Sequence, residues 1–170
     1  MSRSGKQGTV LHGTLGALAG AAIIAMVPIA VWSSTTAFAQ NDAQVKAGLT
    51  VWRNSGCSDC HGAFANGEKE RDESPTGADL RRAKLTTDEF KLAIRCGRPG
   101  TGMPAFEEVA SGCPSGAAGN LYPAPRKLSP EEIDNVVIYL QARIVGHGKI
   151  TKQECLYYYD NDESWCDDYR

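Results

Sequence analysis

Two cysteines three positions apart, followed at once by a histidine, form the segment Cys57-Ser58-Asp59-Cys60-His61. On one turn of backbone, two such thiols can each add to a vinyl group of a porphyrin. The next residue then offers its imidazole to the iron from one side. This C-x-x-C-H spacing is the pattern of covalent c-type haem attachment. Two other chemistries use a C-x-x-C pair. A structural zinc site wants a second pair such as C-x-x-C or H-x-x-x-H, and the chain has none. A thioredoxin-like dithiol follows a strand in a βαβ pattern, which is also missing.

An iron held by His61 on one side needs an occupant on the other. Of the three methionines, Met1 starts the chain, Met26 lies in an apolar N-terminal run, and Met103 alone lies beyond it. The loop Gly97-Arg98-Pro99-Gly100-Thr101-Gly102-Met103-Pro104-Ala105-Phe106 is too rich in Gly and Pro for a helix interior. An isolated Met commonly fills a gap in a core. One held between Gly102 and Pro104 suits a positioned thioether ligand, which favours ferrous iron and raises the reduction potential. The competing ligand is His147, between Gly146 and Gly148 past a predicted helix, which reads instead as an exposed turn residue. Arg98, near the Met loop, suits a haem propionate or a carbonyl.

The surrounding chain has 170 residues, 42% hydrophobic and 22% charged, proportions that exclude collagen-like, disordered and multi-span membrane classes. Its N-terminus reads as an export address. Arg3 and Lys6 precede an uncharged run from Leu15 to Trp32, and Ala37-Phe38-Ala39 has the small residues a signal peptidase needs. Residues 1–39 are therefore expected to be a cleaved signal peptide, with a retained membrane anchor as the alternative. Without them, 16 basic residues face 20 acidic ones, a net charge of −4 that gives no footprint for nucleic acid.

Taken together, Cys57, Cys60, His61 and Met103, 42 residues after the histidine, make the chain resemble a class I monohaem cytochrome c over roughly residues 43–145. The resemblance implies an all-α cytochrome c fold around one covalently bound haem c. Cys57 and Cys60 would hold the haem, and His61 and Met103 would ligate its iron. It further implies an N-terminal helix, Ala43–Ser55, whose Gly48 and Trp52 cross a C-terminal helix. The matching helix is Ser129–Ile144, with Ser129 as N-cap, Pro130 at the first helical position and Glu131-Glu132 complementing the dipole. Its stripe of Ile133, Val136, Val137, Leu140 and Ile144, with Tyr139 alongside, would face the core. A third helix is expected over Thr86–Arg95 with Phe90 and Ile94 inward, and Leu80 and Leu85 would line the haem edge.

Two features depart from that pattern: the four further cysteines, and a chain that runs about 25 residues past the last expected helix. In an exported protein Cys96, Cys113, Cys155 and Cys166 most simply form two disulfides, and three connectivities exist. Cys96–Cys113 with Cys155–Cys166 closes the short loops, 17 and 11 positions, and the first pair would bracket Met103. We divide the chain into residues 1–39, a cytochrome c domain at 40–147 and an acidic, aromatic-rich extension at 148–170. Tyr157, Tyr158, Tyr159, Trp165 and Tyr169 in the extension suit a clipped flap packed on the core. An acidic docking surface for a redox partner is the competing role. The charged run Glu68–Glu73 reads as a solvated loop.

A haem iron with two protein ligands carries single electrons and offers no open position to substrate. The expected role is thus a periplasmic electron carrier and not an enzyme. Its partners would be a dehydrogenase, of which a quinoprotein is one candidate by general layout, and another cytochrome or a terminal oxidase. The alternatives are a haem subunit of a larger oxidoreductase, or a gas-binding or peroxidatic haem protein with Met103 weakly bound.

Overall fold

Three helices begin with the same reciprocal cap, in which a hydroxyl side chain receives a backbone N–H and a glutamate three residues on receives another. Thr86 and Glu89 do this for α3 (Thr87–Cys96), Ser129 and Glu132 for α4 (Pro130–Arg143), and Thr151 and Glu154 for α5 (Lys152–Tyr158). Each cap satisfies donors that the first turn cannot use internally, and each fixes where its helix starts. Upstream of them lie α1 (Trp32–Asn54) and the single-turn α2 (Cys57–His61). Short 3-10 turns span Leu80–Arg82 and Glu163–Trp165. The computed structural model describes residues 32–107, 112–113 and 122–169, and among these there is no strand.

The all-α architecture is the one expected, with shifted boundaries. Helix α1 begins eleven residues before Ala43, at Trp32 (43 − 32), and α3 and α4 each start one residue after their caps. The basic n-region and nearly all of the apolar run that follows it lie outside the described residues. No helix among the described residues is long and apolar enough to cross a membrane.

The core forms where α1 crosses α4. Val45, Leu49 and Trp52 from α1 meet Ile133, Val136, Val137, Tyr139 and Leu140 from α4, and Phe90 and Ile94 of α3 close the same cluster. The crossing is too tight for any side chain at Gly48: a Cβ there would lie 2.0 Å from the Asn135 carbonyl oxygen and 2.6 Å from Tyr139 Cβ. One turn along, the Trp52 and Tyr139 rings pack 6.3 Å apart.

Cys96–Cys113 and Cys155–Cys166 are the two disulfides, with Cα–Cα distances of 5.5 and 5.7 Å. The extension is part of the core and not a loose tail. Cys155, Tyr158 and Cys166 are buried in the same cluster as the crossing helices. Tyr158, Tyr159 and Tyr169 surround Phe64 at 5.4, 6.2 and 5.3 Å, the packed flap of the two expected roles. Arg53 stacks over Tyr158 and bonds Asp160 at 2.9 Å, while Arg143 stacks over Tyr157. Trp165 stays 63% exposed, lying flat on Tyr159.

Two expectations follow. Gly48→Ala should cost more than about 3 kcal/mol in denaturant unfolding, because the atom it collides with is backbone and cannot swing away. Burial raises the Tyr139 phenol well above its ordinary 10.0, and burial together with Glu70 pushes Tyr158 up to about 12. A raised acid pKa means the fold holds the proton more tightly than the unfolded chain. Stability is therefore complete below pH 10 and is lost as pH rises from 10 to 12. Unfolding midpoints measured across that window should fall, and Tyr139→Phe should flatten the fall.

Candidate haem site

Helix α1 ends at Asn54, and Gly56, at φ 75°, turns the chain into α2, which holds the entire segment Cys57–His61. On a helical turn, residues three apart share a face, so the two thiols stand side by side. They are the free cysteines among the described residues, since the other four are bridged. Cys57 keeps some surface as a residue while its thiol is buried. That burial, with Cys60 beside it, pushes the thiol up to about 12. Burial raises Cys60 as well.

His61 closes α2, and its ring stands 6.0 Å from the Trp52 ring, tying it to the helix crossing. Its Nδ1 lies 2.9 Å from the Ala78 carbonyl oxygen. That bond fixes the ring's orientation and leaves Nε2 as the nitrogen available to a metal. Burial lowers the imidazole's pKa, the Ala78 bond works against that, and the Arg98 charge reinforces it. The neutral form, which binds metal, is thereby favoured.

The loop supplying Ala78 lies against both candidate ligands. A Cβ on Gly77 would stand 2.6 Å from His61 Nδ1 and 2.9 Å from the Cys60 carbonyl oxygen, whose bond with the Gly77 N–H is 2.7 Å long. Two residues earlier, Pro75 presses on the Met loop, where a Cβ on Gly102 would lie 2.6 Å from Pro75 Cγ. Met103 is partly buried against the core. Its carbonyl accepts the Arg98 N–H at 3.0 Å, and its own N–H donates to Thr101 Oγ1 at 3.2 Å. Beyond it, buried Phe106 ties the loop back to α3 through its N–H to the Ile94 carbonyl at 3.1 Å. The Cys96–Cys113 bridge spans this loop. Leu80 and Leu85 lie partly buried at the core margin. His147 sits exposed in the turn after α4.

Two adjacent free thiols, an oriented imidazole and a constrained thioether are a donor set that fits haem c. An all-α fold with that set defines a c-type cytochrome, with covalent haem c as its cofactor and haem-based electron transfer as its chemistry. Residues 43–122 match the family model described as Cytochrome C oxidase, cbb3-type, subunit III, 80 of the 170 residues, ending before α4. No curated protein and no solved structure matches the chain.

The sequence pointed to the donors but not to what holds them. That α2 is helical, that Ala78 orients His61, and that Gly77 and Pro75 touch the two ligand segments all come from the structure. The one sequence signal was Thr76-Gly77-Ala78-Asp79-Leu80, a glycine turn leading into a side-chain-capped 3-10 helix. Gly77→Ala should disturb the imidazole directly. In the haem-loaded protein it should change the visible spectrum and lower haem content, with a smaller loss of fold than Gly48→Ala. Circular dichroism and pyridine haemochrome assays check both.

Proposed function

We propose that this protein is an exported one-electron carrier in which Cys57 and Cys60 anchor the haem and His61 and Met103 ligate its iron. The observation that carries the reading is the bond from His61 Nδ1 to the Ala78 carbonyl oxygen, 2.9 Å, beside two cysteines left free while four others are bridged. When bound, haem c supplies reversible Fe(II)/Fe(III) chemistry. This chain's residues supply the rest. Cys57 and Cys60 contribute the sulfurs of two thioether bonds. Ala78 and Gly77 hold the His61 ring so that Nε2 is presented. Pro75, Thr101 and Arg98 hold the segment from which Met103 offers its sulfur, and a thioether there favours the reduced state and denies the sixth position to small ligands.

Export rests on Arg3, Lys6, the apolar run and Ala37-Phe38-Ala39 in the sequence. It places the carrier in the periplasm with residues 1–39 removed, where both disulfides persist. The donor in this reading is a periplasmic dehydrogenase, a quinoprotein being one candidate, or a respiratory complex. The acceptor is another cytochrome or a terminal oxidase. The match to an oxidase-subunit family favours a second reading, a haem subunit held in a larger oxidoreductase. Purification from native membranes separates the two, since a subunit travels with its complex and a carrier does not.

The haem-loaded protein should show the weak far-red Met–iron band when oxidised and should ignore carbon monoxide when reduced. Met103→Ala should abolish that band, admit carbon monoxide and lower the reduction potential, while His147→Ala should change none of the three. Carbon monoxide binding by the unaltered protein would turn the assignment to a gas-binding or peroxidatic haem.

A further inference from the structure

The extension reaches the cysteine–histidine segment itself. Ser58, between the two free cysteines, is buried, and its side chain lowers the pKa of the buried Tyr158 hydroxyl of α5, against the rise that burial causes. The same tyrosine ring packs on Phe64, three residues past His61. One turn earlier in α5, Glu154 grips the buried Arg81 guanidinium with both carboxylate oxygens, at 2.9 and 3.2 Å. Arg81 donates onward to the Phe64 carbonyl at 3.3 Å and to the Gly148 carbonyl at 2.7 Å. Four hydrogen bonds from a buried cation thus join the segment after His61 to the extension. Buried ion pairs hold only with such complete satisfaction, because breaking one leaves a desolvated charge.

We infer that α5 is a working part of the haem site: through Tyr158 on Ser58 and Glu154 on Arg81 it positions the segment that carries His61, and so tunes the reduction potential. This goes beyond a stabilising flap, and it rests on the haem assignment proposed above. Tyr158 and Glu154 are positioning residues that act through Ser58, Phe64 and Arg81. The chemistry at stake is the potential, since buried charge and excluded water near a haem shift the balance between ferric and ferrous iron.

The test compares midpoint potentials and thermal unfolding of the haem-loaded full chain and four variants: Tyr158→Phe, Ser58→Ala, the double variant, and Glu154→Gln. Tyr158→Phe keeps the ring on Phe64 and loses the hydroxyl alone. Glu154→Gln keeps an amide oxygen that can complete the Thr151 cap, and loses the charge together with one of the two acceptors on Arg81. Tyr158→Phe and Ser58→Ala should each shift the potential, and the double variant should shift it no further than the larger single shift. Glu154→Gln should raise the potential, because removing a negative charge destabilises the ferric state. Unfolding temperatures that fall while all four potentials equal the parent's would overturn the inference and leave α5 a structural staple. If the parent chain carries no thioether-bound haem by mass spectrometry, the haem assignment fails, and this inference with it. A haem-bearing parent with unshifted variants defeats the inference alone.

Discussion

Everything at the site hangs on how closely α1 approaches α4. Gly48 lets the two backbones touch at Asn135 and Tyr139. That contact sets the height of Trp52, whose indole backs His61. Because Asn54 ends α1 and only Ser55 and Gly56 precede α2, any change in the crossing angle is passed almost undamped to Cys57. A donor set that must meet one planar cofactor within tenths of an ångström therefore rests on a rigid helix pair and not on a loop.

Once α2 is placed, a single stretch of irregular chain, residues 75–78, does the rest. It fills the space between the histidine and the methionine segment and offers each a different contact: a carbonyl for an imidazole, a proline ring for a glycine backbone. The Met segment gains its stiffness from short bonds inside Arg98–Met103 and from the disulfide that ties its far end to α3. Thus the two proposed ligands sit 42 residues apart in sequence and are linked through four residues of turn.

How far the sequence could be read depended on the range of the interaction. Ser129-Pro130-Glu131-Glu132 and Thr86 with Glu89 announced their helices because capping is complete within four residues. The apolar stripe on α4, the Gly48 crossing and both disulfide pairings were legible for similar reasons, periodicity in one case and short loop closure in the other. The Ala78 carbonyl, the Pro75 contact and the Arg81–Glu154 pair were not. Any residue offers a carbonyl, and a cation 73 positions from its carboxylate leaves no pattern in the chain. The extension's tyrosines looked like a patch of uncertain direction. Only packing around Phe64 separates the inward Tyr158, Tyr159 and Tyr169 from the outward Trp165.

The buried thiol of Cys57 bears on the order in which the protein can be assembled. The reactive form of a cysteine is its thiolate, and a thiol held at about 12 is almost never in that form near neutrality. On the haem assignment proposed above, the finished fold is therefore a poor substrate for thioether formation at Cys57, and attachment belongs to a chain whose α2 is still open. Tyr158 packs on Phe64 just past α2, so on that assignment the extension closes over the site after the cofactor is in place.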